Sequence, residues 1–187
     1  HKGSNKVFLI PEGLSIDSEA NDWLKKDLLA LESNQVQSLV LKNEEGGSFS
    51  INRDSAETDW KSSSEKSDVP DSDKITTLLN RLGKLSFSKL YINDSVSQQA
   101  EGTDLIETTL FVSLFDSRVY TLNLRKNVAS NENYILSIRM GISMVASDNS
   151  EAEDSKLRDE MGIYNQQVNG RFYEISYWEG KELLLSE

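Results

Sequence analysis

The sequence predicts an α+β fold: a mainly antiparallel sheet built from two β-hairpins and flanking strands, with two principal amphipathic helices packed on it. Three observations predict it. Stretches rich in β-branched and aromatic residues come in pairs across turn-forming residues, residues 35–43 with 48–53 and residues 108–115 with 118–125. Two other stretches repeat apolar residues at helical spacing, first Ile75, Leu78, Leu79 and Leu82, then Leu157, Met161, Tyr164 and Val168. A strand with one apolar face and a helix with one apolar stripe must each bury it against a second layer, so the two kinds of element stack.

The first elements are short. Residues 7–10 read as an edge strand ahead of Pro11, and residues 19–31, with Ser18 as N-cap, place Trp23, Leu24, Leu28 and Leu31 near helical spacing, as a short helix or turn. In residues 48–53, Phe49 and Ile51 point one way while Ser48, Ser50 and Asn52 point the other, giving one buried and one wet face. Glu44, Glu45, Gly46 and Gly47 supply the turn. Residues 54–73 are a polar surface loop in which Trp60 is the expected anchor into the core. The helix over residues 75–82 is expected to end at Gly83 in a left-handed cap, and residues 85–92 to return as a strand.

Residues 93–104 form a polar linker. It suggests an N-terminal segment at 1–17, a first α+β half at 18–93 and a second at 94–187, the alternative being one continuous domain. The second hairpin turns at Asp116 and Ser117. Its first strand is apolar on both sides, with Leu110, Val112 and Leu114 against Phe111 and Phe115, which predicts a central position. Tyr134, Leu136, Ile138 and Met140 alternate as a further strand. Ser150 with Glu153 fits a capping box opening the second helix, and Gly170 ends it. Residues 172–177 are then extended, and residues 178–185 close the chain as a short helix or tail.

Composition excludes more than it selects. The 187 residues carry a formal net charge of -11, with a pI near 4.6 and a mean hydropathy of -0.50. Such a surface repels phosphate backbones, so nucleic acid is not an expected partner, nor is an anionic membrane surface. There is no cysteine, hence no disulfide, thiolate metal site or Cys nucleophile. The sole histidine is His1, at the end of the chain, which removes the held imidazole a Ser-His-Asp arrangement needs and the commonest zinc ligand. Two acidic clusters could attract calcium, Asp68, Asp71 and Asp73, and Asp148, Glu151, Glu153 and Asp154. Counted from Asp148, the sixth place of an EF-hand loop would be Glu153 where a Gly is required, so acids near helix starts explain both clusters. Gly46 and Gly47 lack the following Lys-Ser/Thr of a phosphate loop. No catalytic residue, cofactor-binding residue or metal ligand is therefore predicted. One surface is singled out, the aromatic group Tyr173, Tyr177 and Trp178 beside Phe172, because Tyr and Trp give protein interfaces large apolar contact with a polar tip. The alternative, which the residues favour, is ordinary core packing with Phe172 and Ile175 under the second helix.

Several motifs recur together. They are Trp23-Leu-Lys-Lys-Asp-Leu-Leu-Ala-Leu, Val36-Gln-Ser-Leu-Val-Leu, Phe49-Ser-Ile-Asn-Arg53, Trp60, the Val69-Pro-Asp-Ser-Asp-Lys break before residues 75–82, and the closing run from Tyr164-Asn165 through Gly170-Arg171-Phe-Tyr-Glu-Ile175 to Tyr177. In these the chain resembles the DUF4340 family, whose function is not established. The resemblance implies an extracytoplasmic, envelope-associated domain, commonly tethered by a membrane segment upstream of His1, and often encoded beside a gliding-motility-type ABC exporter. It carries no catalytic residues with it. The expected function is thus a non-catalytic accessory or scaffold domain engaging protein partners, ABC exporter components among them. The alternatives are a module binding a sugar, peptide or lipid fragment in a cleft between the halves, lined by Trp60 or Trp178, and a hydrolase using a close pair of carboxylates.

Overall fold

The computed structural model describes residues 28–29, 31–43, 48–62, 71–92, 107–126, 133–143 and 151–184. The expected strand at 7–10, most of the helix at 19–31, the turn at 44–47, the linker at 93–104 and the Ser150 cap lie outside them. In chain order the elements are a 3-10 turn (Ser33–Gln35), β1 (Val36–Asn43), β2 (Ser48–Asn52), β3 (Lys61–Ser62), α1 (Ser72–Gly83), β4 (Lys89–Ile92), β5 (Glu107–Leu114), β6 (Arg118–Lys126), β7 (Tyr134–Ile142), α2 (Glu151–Val168), β8 (Arg171–Ile175) and α3 (Tyr177–Leu183). The protein is α+β, with one eight-stranded sheet in the order β3-β2-β1-β5-β6-β7-β8-β4. Every pairing is antiparallel.

Both expected hairpins are present, but they do not exhaust the sheet. β6 continues into β7 as a meander, β3 adds a two-residue strand inside the polar loop, and α3 is a third helix. The strands of residues 36–62 form one edge and β4 the other, so the centre of the sheet comes from residues 107–175. β5 is internal, between β1 and β6, as expected, although on its second face Phe111 is only half-buried and Phe115 is exposed.

The period of two sorts the side chains. Leu39 lies opposite Val112 and Val112 opposite Tyr120, while Leu122 faces Ile138 and Leu136 faces Tyr173, so these residues share one face of the sheet. All are buried, and the helices cover that face: α1 contributes Ile75, Leu78, Leu79 and Leu82, α2 contributes Leu157, and α3 contributes Leu183. Burying each of the larger aliphatic side chains stabilises the fold by roughly 1.5–3 kcal/mol. The opposite face carries Lys42, Thr121, Asn123, Ser137 and Arg139, none of them buried.

Three local expectations change. Leu28, Leu29 and Leu31 are not helical, because their job is to fill the core: the Leu28 N–H donates to the Leu85 carbonyl at 3.1 Å, and Leu29 and Leu31 are buried. Residues 85–87 are irregular, with Leu85 and Phe87 buried, and only Lys89–Ile92 pairs, with β8. Gly83 is the last residue of α1 and is not left-handed, since the positive φ values among the described residues belong to Ser117 (70°) and Gly170 (67°). A side chain at Gly83 would instead run into the Leu31 carbonyl, so its requirement is close backbone approach. Gly170 does end α2 as expected, and Ser117 makes the β5–β6 turn with the Asp116 carboxylate accepting from the Arg118 N–H at 3.2 Å.

Candidate functional site

α3 is short, and its sequence shows why it forms. Ser176 and Glu179 make a capping box, in which the Glu179 N–H donates to the Ser176 hydroxyl at 3.2 Å and the Ser176 N–H donates to the Glu179 carboxylate at 3.2 Å. Arg81 of α1 pairs with Glu182, and Gly180 is buried so closely against the Tyr134 ring that no side chain fits there. One side of α3 is thereby fixed to the body of the molecule.

On the other side stands Trp178, 71% exposed. Its ring meets Tyr177 edge to face at 5.2 Å, Tyr177 stacks on Tyr134 at 6.4 Å, and Lys181 lies over Tyr177 at 5.6 Å. Tyr177 is half-buried. Tyr173, grouped with these two in the sequence, is placed elsewhere: its ring is 4% exposed and packs on Phe87 at 5.1 Å beneath the helices. Burial pushes its hydroxyl pKa up, opposed by the neighbouring Arg171 guanidinium. The aromatic surface therefore consists of Trp178 with the edge of Tyr177.

A second feature was not foreseen. Pairing between β7 and β8 stops at Leu136 and Tyr173, and beyond it α2 lies along β7. There Asn165 takes the place of a strand: its Oδ1 accepts from the Met140 N–H at 2.9 Å and its Nδ2 donates to the Met140 carbonyl at 2.8 Å. Between this clamp and the start of β8 the chain leaves a cleft of about 720 Å3, lined by Thr121, Asn123, Ser137, Arg139, Asn165, Gln166, Asn169, Arg171 and Phe172 among others. Neither Trp60 nor Trp178 lines it, and all its residues fall within 121–172. Nothing in local sequence marks these residues, since they come from three strands and a helix end and become neighbours only through register.

Trp60 belongs to a different arrangement. Arg53, 8% exposed, holds three carbonyls: Nε donates to Val36 at 2.8 Å, Nη1 to Ala56 at 2.9 Å, and Nη2 to Ser33. Its guanidinium lies 4.6 Å from the Trp60 ring and 5.8 Å from that of Phe115. Of the acidic clusters, Asp71 caps α1 by accepting from the Asp73 N–H at 3.1 Å. Asp68, Asp148 and the Glu151 side chain lie outside the described residues, among which no group of three His, Cys, Asp or Glu could hold a metal ion.

A family model described as a domain of unknown function, DUF4340, matches residues 1–104, which contain β1 to β4 and α1. No curated protein and no solved structure matches the chain.

Proposed function

The chain belongs to the DUF4340 family, and from that premise we propose that it is a non-catalytic, extracytoplasmic accessory domain that engages a protein partner through the outer side of α3. The observation that carries this reading is Trp178. A tryptophan left 71% exposed on a helix whose other side is locked down is the kind of anchor that protein interfaces bury at their centre. A merely structural Trp would turn its ring toward the core. The absence of cysteine and the placement of the only histidine at position 1 support a binding role over an enzymatic one.

The partner class that fits the family resemblance is a component of an ABC-type exporter, with the domain held at the envelope by a segment upstream of His1. No helix among the described residues is long and apolar enough to cross a membrane. The test is a photo-crosslinking amino acid placed at position 178 of the full-length protein in its native cells. Crosslinks to a transporter or envelope protein, lost when the probe is moved to exposed Gln167 on α2, are the expected result. In purified form Trp178→Ala should weaken capture of that partner at least tenfold while leaving the melting temperature unchanged. Equal crosslinking from both positions would remove the reading.

A further inference from the structure

We propose that the cleft between β7 and the end of α2 is a binding site for an acidic saccharide, a sugar ring bearing a carboxylate. The inference is independent of the partner surface on α3.

Charge comes first. The chain carries 31 acidic residues against 20 basic ones, yet no Asp or Glu lines the cleft, and two arginines do. Arg139 is exposed and makes no ion pair among the described residues. A cationic cleft on an acidic molecule concentrates its field on a bound anion, and a free guanidinium offers a planar fork that matches one carboxylate bidentately.

The rest of the lining is neutral and rich in hydrogen-bonding groups. Asn123, Ser137, Thr121, Gln166 and Asn169 present amides and hydroxyls, which suits the alternating donors and acceptors of sugar hydroxyls better than the concentrated charge of a phosphate. The Asn123 Oδ1 already accepts from the Thr109 hydroxyl at 3.0 Å, which fixes its amide orientation and leaves Nδ2 as a donor. Phe172 supplies a half-buried ring held from one side by the Arg125 guanidinium at 5.4 Å, a platform for the C–H face of a pyranose. The volume, about 720 Å3, falls within the roughly 300–1,000 Å3 of small-molecule sites. Asn165, held by its two bonds to Met140, makes the adjoining wall rigid in advance of binding.

The experiment is a calorimetric titration of the intact chain with a galacturonate trimer, beside three comparison probes: the neutral galactose trimer, inorganic phosphate and a Glu-Glu dipeptide. The acidic sugar is expected to bind at least tenfold more tightly than each of the others. Arg139→Gln should erase the preference over the neutral sugar without moving the melting temperature, and Arg139→Lys should restore only part of it, because an ammonium is a point charge and no fork. Phe172→Leu should weaken both sugars together. Binding of the dipeptide or phosphate as tightly as the acidic sugar would overturn the assignment, as would equal binding of the two sugars, no binding at all, or an Arg139→Gln variant that behaves like the parent.

Discussion

Arg53 shows how one residue can serve as a joint for several segments. Its guanidinium ties the 3-10 turn at Ser33, the start of β1 at Val36 and the loop at Ala56, and it lies against the rings of Trp60 and Phe115. Burial pulls its pKa below the ordinary arginine value, although far from any range in which it would lose its proton. The charge is tolerated because three carbonyl dipoles and two ring faces surround it. A lysine has one compact ammonium and cannot span three carbonyls while stacking on two rings. Arg53→Lys should therefore lower unfolding free energy by about 2 kcal/mol, read from the midpoint of urea denaturation with the slope unchanged. A loss under about 0.5 kcal/mol, the usual scatter of surface substitutions, would mean the joint carries no weight. The sequence displays Arg53 and Trp60 as family motifs without revealing that they touch. Their spacing is that of no regular element, and the carbonyls that complete the site belong to residues whose side chains play no part in it.

At the level of elements, legibility followed periodicity. α1 buries the stripe its pattern predicts, because an apolar stripe has one way to face the core, and β5 buries Leu110, Val112 and Leu114 but leaves Phe111 half-buried and Phe115 exposed. What failed was decided by contact with distant chain. Gly83 could be seen as a helix-ending glycine, but its left-handed role could not survive once the Leu31 carbonyl came to rest against it. Trp178 and Tyr177 stand together as foreseen, whereas Tyr173 is buried because it lies on β8 opposite Leu136, on the face of the sheet the helices cover, while the other two belong to α3. The cleft was illegible for a related reason: where α2 replaces β8 as the neighbour of β7, the backbone of Met140 is met by the amide of Asn165, and an Asn in an otherwise helical pattern carries no such message. Removing that amide should detach the helix end from the strand. Asn165→Ala leaves a backbone N–H and a carbonyl of Met140 without partners, at a cost of about 1–3 kcal/mol. Hydrogen exchange at the Met140 amide should accelerate in step with the loss of stability. Exchange at the parent rate would show that α2 is held to β7 by its apolar side alone.

Across the whole molecule, the path from β3 to β4 passes from one edge of the sheet to the other by way of α1, so closure of the fold depends on joining both margins to a centre built later in the chain. Both margins are short strands that begin with lysine, Lys61 and Lys89, a form that discourages pairing with other molecules. The β4 margin is also locked through tyrosine and glutamate: the Tyr91 hydroxyl donates to the Glu174 carboxylate at 2.5 Å, and the Asn133 Nδ2 donates to the same carboxylate at 2.9 Å. Burial, then this hydrogen bond and the negative charge beside it, pushes the Tyr91 pKa up to about 12. Burial likewise raises Tyr120, Tyr164 and Tyr173. In the unfolded chain these hydroxyls ionise near pH 10. Between that value and the raised folded ones, the native state binds more protons than the unfolded state, so stability is whole below about pH 10 and falls as the pH climbs toward 12. The melting temperature is accordingly expected to hold steady from neutral pH to about 9.5 and then drop steeply, with tyrosinate absorbance rising in the same transition as the fold is lost. Tyr91→Phe should lower stability at neutral pH, through the lost bond to Glu174, and make the alkaline fall shallower. A melting temperature that stayed level through pH 11.5, or a Tyr91→Phe variant with an undiminished slope, would place the proton linkage elsewhere than at the margin Tyr91 holds.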